Sequence, residues 1–227
     1  MAKKRKFNWK AAVVILLALG VLVVTVAGLH RWRRNRTFWP QNSLEDGVKA
    51  FDSNQWDEAA RHLGRYIARH TNDADMVMKY AEAQTNRRPA DSKNIMQAIE
   101  SYRTVLRNQS ITSEQEKEAT EKLAGLYLLR APSEAELVTA RFLKDNDDPD
   151  IRKLLAISLV QQRRVEEAVE HLKTIVSNNP DYIPAYESLG MITEQYPEEF
   201  SGQLRHWYND AVDANPESAE ALVSRAF

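Results

Sequence analysis

Cysteine is missing from the chain altogether. Disulfides, thiolate zinc sites and thiol catalysis are thereby excluded. Glycine and proline are scarce, at 7 and 8 of 227 residues, as a helical chain would have. Runs that alternate apolar with polar residues are missing as well, so no strand is expected. There is no H-E-x-x-H, no Gly-rich phosphate loop and no G-x-S-x-G. No catalytic residue, metal ligand or cofactor is assigned, and the chain is not expected to be an enzyme.

Two patterns come near to chemistry and fall short of it. Among the histidines His30, His62, His70, His171 and His206, both His62 and His171 follow a glutamate (Glu58, Glu167) by four residues. That spacing puts both groups on one helix face, as half a metal site would be. Each histidine, however, directly precedes an apolar residue (Leu63, Leu172) at the same place in a repeated pattern, so both read as helix-surface residues. Residues 145–150 (DNDDPD) resemble the start of a calcium loop but lack the central glycine and the bidentate glutamate. They read as a turn, with Asp148 or Asp150 at a helix N-terminus. Asn35 and Asn108 match the three-residue glycosylation pattern, which chance supplies readily.

The net charge of −1 hides a division of charge along the chain. Residues 1–36 hold nine Lys or Arg and no acid, leaving 22 basic against 32 acidic residues in the remainder. That remainder lacks the basic face that displaces counterions from phosphates, so nucleic acid is not an expected partner. A solvated acidic face is the simpler reading of the surplus; the other is a preference for basic partners.

The longest uncharged stretch runs from Ala11 to Leu29, 19 residues reading AAVVILLALGVLVVTVAGL. At 1.5 Å per residue it spans about 28 Å, close to a bilayer's hydrocarbon thickness. Phe7 and Trp9 flank one end, and Trp32, Phe38 and Trp39 the other, with Lys and Arg outside them. The expectation is a single transmembrane helix. A cleaved secretory signal with Thr25-Val26-Ala27 as its small-residue site is the alternative. The length of the apolar run and the arginines from Arg31 to Arg36 count against it. Five basic residues precede the run and four follow it. A short basic N-terminus ordinarily stays in the cytoplasm, which places the rest of the chain on the opposite side.

Beyond residue 40 a pattern recurs. Leu155-Ala156, Leu159, Ala168, Leu172 and Pro180 are followed by Tyr186, Leu189-Gly190, Leu204, Tyr208 and Pro216. Gly47, Phe51, Trp56, Ala59 and Leu63 form an earlier copy; Val77, Tyr80-Ala81, Gln84, Ala98 and Tyr102 form another, with about five residues inserted near Asn86 to Asn94. Leu123-Ala124 and Tyr127 mark a weaker one. These residues resemble the tetratricopeptide signature W-x2-L-G-x2-Y…A-x3-F…P, whose period is near 34 residues. Arg152 and Thr193 stand where aromatics are usual. The resemblance implies antiparallel helix pairs in which Gly190, Ala156 and Ala168 let backbones approach, stacked because one pair cannot bury its apolar face alone.

The expected organisation is all-α: a basic tail (1–10), the transmembrane helix (11–29), a basic and aromatic linker (30–39), and an α-solenoid of about five pairs over 40–227. The pairs are 40–73, 74–110, a degenerate 113–147, 149–182 and 183–218, with a further one starting at 219–227. The resemblance implies a protein or peptide partner in a concave groove lined by the first helices. By register, Met78, Glu82, Lys153, Ile157, Glu187 and Met191 face that groove. The Lys-x3-Asn and Lys-x3-Arg clamp of chaperone-tail binders is not found in register. The function expected is a membrane-anchored scaffold for assembly, tethering or quality control. The alternative is the recruiting arm of an enzyme or sensor whose active domain lies beyond Phe227.

Overall fold

The computed structural model describes Thr25 and residues 43–89, 91–198, 200 and 206–226. Every element among them is a helix. The first is α1, residues 43–52, followed by α2 (Trp56–Ile67), α3 (Ala74–Asn86) and α4 (Ser92–Arg107). Then come α5 (Ser113–Leu128), α6 (Pro132–Phe142), α7 (Pro149–Gln161) and α8 (Val165–Asn178). The last are α9 (Ile183–Gln195), α10 (His206–Ala214) and α11 (Ala219–Ala226). Among the described residues no helix is long and apolar enough to cross a membrane. The run 11–29, expected to do so, lies outside them apart from Thr25.

The chain divides into two units at Arg69. In the first, α1 meets α2 through a missing side chain. A Cβ on Gly47 would stand 2.9 Å from Leu63 Cδ2 and 3.1 Å from the Leu63 backbone nitrogen. Phe51 and Trp56 close the turn edge-to-face, 5.5 Å between ring centroids. The G-x3-F-x4-W-x2-A-x3-L spacing is thus a set of contacts across one helical hairpin.

In the second unit each helix packs on the next, α3 through α11, and the first helices of neighbouring pairs also meet: α3 with α5, α5 with α7, α9 with α11. This is a solenoid of helix pairs. The best-matched repeats carry its largest continuous core. Leu155, Ala156 and Leu159 of α7, Ala168, Leu172 and Ile175 of α8 and Leu189 and Ile192 of α9 are all buried together. Gly190 stands where α9 meets α10: a Cβ there would overlap the ring and hydroxyl of Tyr208.

Several polar residues bond within a helix or join the two helices and ends of a pair. Thr193, fully buried, donates its hydroxyl to Gly190 O at 2.8 Å, and Thr139, also fully buried, to Ala135 O at 2.8 Å. Asn108 and Asn215, at the ends of two pairs, donate their amides to Asn72 O (3.1 Å) and Pro180 O (2.9 Å), just before the same pairs begin. The Asn108 amide therefore has a structural task. Gln84 donates to Tyr80 Oη at 2.7 Å and to Gln97 Oε1 at 2.8 Å, joining α3 to α4.

Residues 145–150 form a junction. Asp148 caps α7, accepting from the Asp150 and Ile151 amides at 3.0 and 3.1 Å, while Lys117 of α5 pairs with it at 2.8 Å. Asp150 accepts from Tyr182 Oη at 2.6 Å, and Asp147 holds Arg152 at 2.8 Å. Arg152, in an aromatic's usual place, is anchored by that pair.

Candidate functional site

The first helices of three successive pairs, α3, α5 and α7, enclose a recess of about 440 Å³. Its walls are Glu82, Thr85 and Asn86 of α3, Glu121, Lys122, Gly125 and Leu126 of α5, and Leu154 of α7, with Tyr102 of α4 behind them. The side chains differ in how free they are. Thr85 and Asn86 fold back onto their own helix, donating to Ala81 O and Glu82 O. The carboxylates of Glu82 and Glu121, like that of nearby Glu118, are neither hydrogen-bonded nor ion-paired to a described residue. Burial raises the pKa of the Tyr102 phenol, and the charges of Glu82 and Glu118 raise it further. Those two carboxylates therefore lie close enough to the phenol for their fields to be felt.

Gly125 is the gap in the wall. It is exposed, and a Cβ there would meet nothing within 4 Å. Three residues before the end of α5, its bare backbone lines the recess.

Among the six residues assigned to the groove by register, Glu82 lines the recess. Met78 is 6% exposed, so its thioether belongs to the packing and offers little to a ligand. Lys153 is half-buried, its ammonium 5.6 Å from the Tyr182 ring centroid. Ile157 is half-buried, and Met191 is 59% exposed. The Glu187 carboxylate accepts from the Ser224 hydroxyl of α11. Glu121, Lys122, Gly125 and Leu154 were not assigned. A signal for two of them was present. The register that gave Met78 and Glu82 around Ala81 gives Glu121 and Gly125 around Ala124.

A second hollow, of about 300 Å³, lies between α4, α5 and α6, lined by Arg103, Tyr127, Leu137 and Arg141 among others. The Tyr127 hydroxyl is buried there without a hydrogen-bond partner, under the Arg103 guanidinium, which lies 5.5 Å from the ring centroid. Arg103 in turn meets Glu134 at 3.4 Å. Among the described residues no group of three or more His, Asp or Glu is placed to hold a metal ion. Asp147, Asp148 and Asp150 are each taken up by the contacts given above.

No protein-family model and no curated protein sequence matches the chain. Solved structures do. A crystal structure of MamA superposes with a TM-score of 0.64 at 17% identity, covering 80% of this chain and 94% of that one. MamA from Desulfovibrio magneticus RS-1 gives 0.63 at 14%, covering 80% and 97%. YrrB, described as a TPR protein with an unusual peptide-binding site, gives 0.57 at 14%, covering 80% and 89%. At such identities the likeness speaks for the fold alone, and the helix pairs agree with it: the chain has the tetratricopeptide-repeat fold.

Proposed function

We propose that the chain is a membrane-anchored scaffold that holds a segment of a partner protein along its first helices, in assembly, tethering or quality control. The recess around Gly125 carries this reading. It joins three successive pairs on one face, it is open where a side chain would fit, and its free polar groups are surface carboxylates instead of a nucleophile paired with a base. Peptide binding is an activity this fold hosts, since YrrB is described as having a peptide-binding site. The candidate contacts are Glu82, Lys153, Ile157, Glu187 and Met191, with Met78 behind them, extended by Glu121, Gly125 and Leu154. Anchoring rests on the sequence of the run 11–29. The repeats would then lie across the membrane from a cytoplasmic N-terminus.

Site-directed photocrosslinking in cells tests the groove. A photoreactive residue at Leu154 or Glu121 is expected to trap a discrete protein partner, and one at the exposed Lys173 of α8 is not. Equal labelling from both faces, or labelling from α8 alone, would remove the groove as the working surface. Carbonate extraction tests the anchor: the chain should stay with the membranes, and release with soluble proteins would contradict it.

A further inference from the structure

The recess is unequal in charge. Glu82 of α3 and Glu121 of α5 line it with no counter-ion among the described residues, and Lys122 is the only ammonium among its described lining residues. The ion pairs of this unit lie elsewhere: Lys117 on Asp148, Arg152 on Asp147, Arg164 on Glu136. Its apolar lining is Leu126 of α5 and Leu154 of α7. The bare backbone of Gly125 also lines it, and no neighbour crowds that glycine. A glycine inside a helix is a poor choice unless space is needed, and here the packing needs none. The space is available to a ligand's main chain or a small side chain.

Resting on the groove reading above, we propose that the occupant is a cationic, amphipathic segment of a partner protein. Its lysine or arginine side chains meet Glu82 and Glu121, a small residue lies against Gly125, and an apolar residue meets Leu126 and Leu154. The charge of the body agrees in sign, with 32 acidic against 22 basic residues beyond residue 36. Unpaired carboxylates on one wall attract cations and repel an acidic segment, so the wall selects as well as binds.

The test uses the full chain in a nonionic detergent and two fluorescent peptides, one of alternating lysine and leucine and its glutamate–leucine counterpart. The lysine peptide should bind and the glutamate peptide should not. Raising the salt from about 0.1 M to about 1 M shortens the screening length from roughly 10 Å to 3 Å and should weaken binding. The double variant Glu82→Gln, Glu121→Gln should bind the lysine peptide roughly fivefold to tenfold more weakly, the size of two exposed ion pairs. Lys122→Gln should bind it no more weakly than the parent. Gly125→Trp, at an exposed site, should abolish binding with helicity retained. If the glutamate peptide binds as well, or the double variant keeps full affinity while Gly125→Trp loses it, the charge assignment is overturned and the groove stands. If Gly125→Trp leaves binding of the lysine peptide intact, the peptide sits elsewhere and both fall.

Discussion

Two glycines, each within a helix, give opposite tests of packing. A Cβ on Gly190 overlaps Tyr208; a Cβ on Gly125 meets open space. Gly→Ala in a helix gains up to about 1 kcal/mol where room exists, whereas overpacking costs about 1–3 kcal/mol. Gly125→Ala should therefore raise the denaturation midpoint and Gly190→Ala lower it, with Gly190→Leu lower still, in urea melts followed by circular dichroism. A Gly190 variant that melts later than the parent would place that residue on the surface and undo the register of the last two pairs. The role of Gly190 could be read from the sequence because the signature fixes a small residue there. The place of Gly125 on the groove face follows from the register around Ala124, but the open space around it does not, because the signature asks nothing of residue size there.

At the scale of the element, two of the turns share a geometry that composition hides. Asn54 and Arg163, with φ of 56° and 64°, each follow a first helix in the left-handed region. In both turns the next amide reaches back five residues: Gln55 N to Ala50 O at 2.8 Å and Arg164 N to Leu159 O at 2.9 Å. For arginine that conformation costs about 1–2 kcal/mol. Arg163→Gly should therefore stabilise by about 0.5–1 kcal/mol in a thermal melt, despite glycine's larger unfolded-state entropy. Asp148→Ala should destabilise by about 1 kcal/mol or more, since it removes the α7 cap and leaves Lys117 without its shorter partner. Two further observations explain why the segment 111–147 matched the signature weakly. Thr120 and Thr139 occupy buried sites where an apolar residue would be looked for, and the Thr139 hydroxyl is satisfied by its own helix. The helices α5 and α6 nevertheless pair as the others do. The weak match also hid Glu121 and Gly125, so the part of the site hardest to read lies in the repeat with the faintest signature. Met78, 6% exposed, shows a related limit: register names a helix face, and tertiary packing decides how much of that face stays open.

At the scale of the whole molecule, charge couples the fold to pH. In the repeat unit, hydrogen bonds from Arg164 lower the pKa of Glu136, those from Arg152 lower that of Asp147, and the Tyr182 hydroxyl lowers that of Asp150. A carboxyl depressed in the fold contributes stability above its unfolded pKa of about 4 and loses it as pH falls through the folded value. Burial, then the charge of Arg152, lowers His171 in the fold. Its contribution is complete above the unfolded pKa of about 6.5 and fades as pH drops below it. Thermal melts across pH should show a shallow decline beginning near pH 6.5 and a steeper one below about pH 4. His171→Gln should flatten the first and leave the second. A parent protein whose midpoint does not change between about pH 7 and pH 5 would contradict the burial of His171.

The central claim is that the face made by the first helices is where a partner lies. Its most direct measurement is the yield of the photocrosslink from Leu154 in the full chain, with Gly125 and with Trp in its place. Both residues line the recess, and a tryptophan at Gly125 fills space that no other side chain uses. The account expects the adduct yield to fall about tenfold or more, as for blocking the centre of an interface, while the circular dichroism at 222 nm is unchanged. An unchanged yield from a folded Gly125→Trp protein would mean that the partner does not enter this recess.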